Sequence, residues 1–145
     1  MSHKYSIAHL TVLGWSPVEM AYNAKILGYD YISIRNINMG VKGERDFSIP
    51  KGEERYNNLK NALDETGIKI HDIELARVLD GTDVSSYESA FESGASLGAV
   101  GVLSSIWTDK KDYYMEQFAA LCDLAAQYNL TVNLEYVTWA GVWNL

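Results

Sequence analysis

Leu130-Thr131-Val132-Asn133-Leu134-Glu135-Tyr136-Val137-Thr138 alternates in character along its length. Val132, Leu134 and Tyr136 fall on one side of an extended chain, and Thr131, Asn133 and Glu135 on the other. Successive side chains on a strand point to opposite faces. An apolar set turned towards helices, with a polar set turned inward, is what a strand of a closed barrel with an interior site shows.

Upstream, the chain repeats one unit. The first strand is expected over Tyr5 to Leu13, with His9 mid-strand between apolar residues. Ser16-Pro17-Val18-Glu19 then places serine, proline and glutamate as a capping box opening a helix. Gly28 stops that helix, and a second strand follows over Tyr29 to Ile37. The connection from Asn38 to Gly52 exceeds ~12 residues, a length usually functional or mobile. A helix from Glu53 to Thr66, a strand from Ile68 to Leu79, and a helix opened by Ser85 and Glu88 come next. A strand over Val100 to Trp107 and a long helix capped by Asp109 lead to the fifth strand, Leu130 to Thr138. Gly141 to Leu145 reads as a turn into one more helix.

The residues that stop each helix, Gly28, Gly67, Gly98 and Asn129, are separated by 39, 31 and 31 residues. A strand with its crossover helix needs that length. Strict alternation makes the fold α/β, with all strands parallel and crossovers right-handed. Two architectures compete. A flavodoxin-like open five-stranded sheet suits 145 residues, read as one domain over 1–145; a (β/α)8 TIM barrel needs about 250. The open sheet requires a last helix over its fifth strand, and only seven residues follow Thr138. It also wants either a phosphate loop with glycines after Leu13, where only Gly14 stands, or clustered acids at the first strand, and Tyr5 to Leu13 contains none. The reading is a partial TIM barrel of about five strands.

The net charge is −7. That disfavours nucleic acid and anionic membranes as partners. A single cysteine, Cys122, precludes an internal disulfide and a cysteine zinc cluster. No run approaches ~18 apolar residues and the first residues lack a signal-peptide pattern, so a cytoplasmic location is expected.

Ser16-Pro17-Val18-Glu19-Met20-Ala21 with Gly28-Tyr29-Asp30-Tyr31-Ile32 resembles the first repeat of the sugar phosphate isomerase/epimerase superfamily, the xylose isomerase-like barrels. Ile70-His71-Asp72-Ile73-Glu74-Leu75 resembles their third strand, and Leu134-Glu135-Tyr136-Val137-Thr138-Trp139 their fifth. The resemblance covers the whole chain and about five-eighths of the family domain. It implies a divalent metal (Mn, Mg, Co or Zn) at the C-terminal mouth, with Glu135 as its first ligand and the other three beyond Leu145. It implies a small sugar or sugar-phosphate substrate, isomerised or epimerised by proton transfer through an enediolate-like state, with Glu135 one of the acid-base pair. Many members carry a glutamate where this chain has Ser33, which leaves Arg35 as the charged group there.

Further candidates come from position. Glu135, on the expected interior, would be costly there unless paired or metal-bound. Glu74 is nearer the mouth than His71, and opposite parity should put the two on opposite faces. His9 is a candidate ligand to substrate, weighed against a core histidine. Arg35 would clamp a phosphate or carboxylate, or pair with an acid. Trp15 and Trp107 follow strand ends, as sugar-stacking walls or as core. Related dehydratase or endonuclease barrels are the alternative chemistry. The other alternative is a non-catalytic split-barrel chain that needs a partner: a half-barrel would expose two strand edges, so a homo-oligomer or a complementing chain is expected.

Overall fold

The computed structural model describes residues 3–142; the expected turn into a further helix, at Gly141 to Leu145, lies partly outside them. Five strands alternate with four helices: β1 (Ser6–Ala8), α1 (Pro17–Leu27), β2 (Tyr31–Ile34), α2 (Glu54–Thr66), β3 (Lys69–Val78), α3 (Glu88–Ser96), β4 (Gly101–Ile106), α4 (Lys111–Gln127) and β5 (Thr131–Leu134). All four strand pairs are parallel, and the sheet runs in the order β1-β2-β3-β4-β5. That order decides the architecture. A doubly wound sheet reverses direction at a switch point, whereas barrel strands follow one another around the wall. The flavodoxin-like alternative is thereby overturned.

Helix ends follow the expected chemistry in part. Ser16 caps α1 with both halves of the capping box in place and Pro17 at the first helical position. Gly28 stops the helix at φ +82°, and Asn129 adopts φ +57° before β5. Two expected caps differ. α3 is preceded by a 3-10 turn (Val84–Tyr87) in which Asp83, not Ser85, supplies the capping oxygen, accepting from the Ser85 N–H at 3.0 Å. α4 opens at Lys110 with no side-chain cap, so Asp109 does not serve.

The core lies between the sheet and the helices. Ile7, Ile32, Ile34, Ile70, Ile73 and Val102 pack with Met20, Ala24, Leu59, Phe91, Leu121 and Ala125. Burying such side chains contributes roughly 1.5–3 kcal/mol each. The first strand is shorter than expected. It ends at Ala8, and His9–Val12 form a 3-10 turn, so His9 is not mid-strand. The buried His9 ring draws the chain inward at that point, where a regular strand would run on.

β3 departs from a regular pleat in a way that matters for the site. Ile32 pairs with Ile70 but Ile34 with Ile73, and Ile73 pairs with Val102 but Ala76 with Ser104. Each step inserts one extra residue on β3, a bulge. Ile70, Ile73 and Ala76, three residues apart, are therefore all buried in the same core. The residue after each, His71, Glu74 and Arg77, is carried to the other, concave face. The expectation that His71 and Glu74 face opposite sides is corrected by this bulge. The His71 ring meets that of Tyr31, 5.7 Å away on β2. No helix among the described residues is long and apolar enough to cross a membrane.

Candidate functional site

The C-terminal ends of the strands bring most of the expected residues together. His9 is fully buried there. Its Nδ1 accepts from the Arg35 backbone N–H at 2.9 Å, so Nε2 carries the hydrogen and donates to the Trp15 carbonyl, also at 2.9 Å. Both nitrogens are committed within the chain. His9 thus joins the end of β1 to the end of β2, and offers neither nitrogen to a substrate. Burial, then the nearby Arg35 and Arg45 charges, hold its pKa below the ordinary 6.5, against the raising effect of the Trp15 carbonyl. Trp15 itself packs half-buried against the core.

Arg35 and Glu74 face each other on the concave side. Arg35 Nε lies 3.7 Å from Glu74 Oε1, with both side chains largely buried. That separation is an ion pair but too long for a hydrogen bond. Neither Arg35 Nε nor Glu74 Oε1 has a hydrogen-bond partner. Burial raises the Glu74 pKa above the ordinary 4.5; Arg35 opposes this, while Asp72 and Glu135 add to it. Glu74 therefore feels the charges of both Asp72 and Glu135.

Glu135 follows β5, and its backbone N–H donates to the Ser104 carbonyl at 2.8 Å. The alternation expected for this strand is present: Thr131 and Asn133 are exposed, and Val132 and Leu134 are partly buried against the core. Glu135 itself is exposed, contrary to the buried carboxylate expected from strand position. It lies directly after β5, an edge strand among the described residues.

Arg77 was not singled out from the sequence, because a regular pleat gives no reason to place it here. It donates to the Met39 carbonyl, and its guanidinium lies 5.8 Å from the centre of the Trp107 ring. Trp107 Nε1 donates to Ser105 Oγ at 2.7 Å. Trp107 is thus a half-buried wall held from two sides. The long connection folds back on the mouth: the Phe47 ring packs 4.7 Å from His9, Arg45 lies over Phe47, and Arg45 donates to the Gly14 carbonyl. The connection is tied down where the sequence suggested function or mobility. Two cavities, of about 290 and 240 Å³, lie behind it and are lined by neither Glu74 nor Glu135.

No group of three or more His, Cys, Asp or Glu side chains is assembled for a metal among the described residues. Glu135 fits a hard divalent cation as a free oxygen donor; Glu74 shares its charge with Arg35.

The sequence matches no protein-family model and no curated protein. Solved structures do match. A xylose isomerase domain-containing protein from Salmonella typhimurium LT2 superposes with a TM-score of 0.74 over 96% of this chain and 52% of its own, at 17% identity. The fold is a partial xylose isomerase-like barrel. The IolI protein with a bound zinc atom matches at TM-score 0.73, over 97% of this chain and 54% of its own, at 20% identity. An uncharacterised Parabacteroides distasonis protein matches at 0.60, over 91% and 52%, at 18% identity. The partial barrel spans about half the length of these neighbours.

Proposed function

We propose that the complete barrel is a metal-dependent sugar or sugar-phosphate isomerase or epimerase. The supporting observation is the Arg35–Glu74 pair, buried at the strand mouth with Nε and Oε1 both lacking a hydrogen-bond partner. Both atoms are almost inaccessible, so a hydroxyl that accepts from Nε–H and donates to Oε1 would have to part the pair to satisfy them. Unsatisfied buried polar atoms cost free energy, so such a gap favours a ligand that bridges it. A sugar hydroxyl has that chemistry. Trp107, fixed by Ser105 and faced by Arg77, offers an apolar wall beside it.

Glu135 would hold the divalent cation, whether Mn, Mg, Co or Zn; the metal supplies Lewis acidity that stabilises negative charge on adjacent sugar oxygens. Glu135 and a second carboxylate would move the proton between neighbouring carbons through an enediolate-like state. Arg35 and Glu74 orient the substrate, and His9 keeps Arg35 in register by holding its backbone. The zinc reported with IolI supports a metal in this kind of fold. The net charge of −7 disfavours the endonuclease alternative.

The test is carbon-bound proton exchange in deuterated water, with aldoses, ketoses and their phosphates and each of the four metals, on the complete protein. Exchange is expected with at least one metal, and Glu135→Gln should lower it by about 10² or more. Absence of exchange with every substrate and metal would sink the reading.

A second reading concerns assembly. Tyr5 and Leu27, each 61% exposed, line one shallow depression beside β1, and Ile26 nearby is 81% exposed. This apolar edge favours a homo-oligomer or a complementing chain as partner.

A further inference from the structure

Arg77 stands near the C-terminal end of β3 on the concave face, roughly 10 Å further along the strand than Glu74. A guanidinium is always charged and carries five N–H donors in a planar fork. Arg77 commits few of them. Its Nη2 donates to the Met39 carbonyl. Nε and Nη1 have no hydrogen-bond partner among the described residues, and neither is sealed from water as Arg35 Nε is.

The charge is as open as the donors. Arg77 is partly buried, yet it forms no ion pair within 4.0 Å among the described residues. The acids on either side of it in the chain are engaged elsewhere. Glu74 faces Arg35, and Asp80 accepts from Lys110 at 2.7 Å and from Thr108 at 2.6 Å. A partly buried cation with no counter-charge keeps a desolvation cost that an incoming anion offsets. The fork is also held in place. The Met39 carbonyl fixes one nitrogen, and the Trp107 ring, tied by Nε1 to Ser105 Oγ at 2.7 Å, lies 5.8 Å from the guanidinium carbon. Little side-chain freedom is left to lose when a ligand binds. A fixed guanidinium with open donors matches the oxygens of a phosphate or a carboxylate.

Register relates Arg77 to Glu135. Arg77 pairs with Ser105 and Ser104 pairs with Leu134, so Glu135 follows at the level of Arg77, two strands away. Two strand spacings are about 10 Å, a distance that an extended sugar with a charged terminal group spans.

We propose that Arg77 anchors an anionic group, a phosphate or a carboxylate, at one end of the substrate. The protein then acts on charged sugar derivatives and not on free neutral sugars. This rests on the isomerase or epimerase reading above, which puts the reacting end of the substrate at Glu135.

The experiment is calorimetric titration of the complete protein, without metal, with xylitol, terminally phosphorylated xylitol and xylonate. At least one of the two anions should bind roughly tenfold or more tighter than xylitol, the difference of one charge-assisted contact. Which anion binds tells phosphate from carboxylate. Arg77→Gln should bring the anions down to the level of xylitol, and Arg77→Lys should restore part of the difference. If Arg77→Gln does not fold, the side-chain Nε–H resonance of Arg77 in the wild-type protein decides, and it should shift saturably with the tighter anion. Xylitol binding as tightly as both anions, anion binding unaltered in Arg77→Gln, or an unmoved Nε–H resonance overturns the proposal. Arg77-dependent anion binding without proton exchange would keep the anchor and sink the isomerase reading. Exchange on neutral aldoses that Arg77→Gln leaves intact would keep that reading and overturn the anchor.

Discussion

His9 joins two strand ends through both ring nitrogens, and its protonation would break one of those bonds. Nδ1 accepts from the Arg35 N–H, and a second ring proton there would face a donor. Its folded-state pKa is depressed. The stability it contributes is present above the ordinary histidine value and is lost as pH falls through the depressed one. Urea unfolding at about pH 7.5 and about pH 5.5 should show a loss on the acid side, and His9→Gln should shrink that difference. An unchanged pH dependence in the variant would remove His9 from this role. Glu74 acts in the opposite sense. Its pKa is raised, so its contribution is present below about 4.5 and lost as pH rises through the raised value. His9 was visible in the sequence as a histidine among apolar residues, but not its two partners. Trp15 and Arg35 meet it only because the chain curls into a 3-10 turn after β1.

Between elements, the two bulges in β3 do most to build the mouth. Ile70, Ile73 and Ala76 keep the core face while His71, Glu74 and Arg77 are turned to the concave one. α3 presses closely on the bulged segment: a Cβ on Gly94 would stand 2.8 Å from Ile73 Cγ2. Ile73 is fully buried and β-branched, so it has little room to turn. Gly94→Val should therefore destabilise the chain by about 1–3 kcal/mol through overpacking, read as a lower urea midpoint; an unchanged midpoint would show that α3 does not sit so near. The helix stops, the α1 capping box and the strand-helix alternation were legible in sequence, being local. The bulges were not, since an extra residue is recognised only against the neighbouring strand's register. Arg77 was missed for that reason.

For the molecule as a whole, two sheet edges and an apolar rim govern behaviour. β1 and β5 each have one strand neighbour among the described residues. Tyr5, Ile26 and Leu27 present exposed apolar surface near β1. Light scattering after size exclusion should report an oligomer, and Leu27→Lys with Tyr5→Lys should shift it towards monomer; a wild-type monomer would count against the proposed partner. The order of elements and the parallel class followed from the sequence, because period, caps and stops act over a few neighbouring residues. The alternation in Leu130 to Thr138 also pointed correctly to the barrel-type sheet. The sequence could not say that Glu135 is exposed, or that Glu74 stands beside Arg35 with a gap between them. Those depend on register and on contacts between residues tens of positions apart, which arise only when the sheet and its helices pack together.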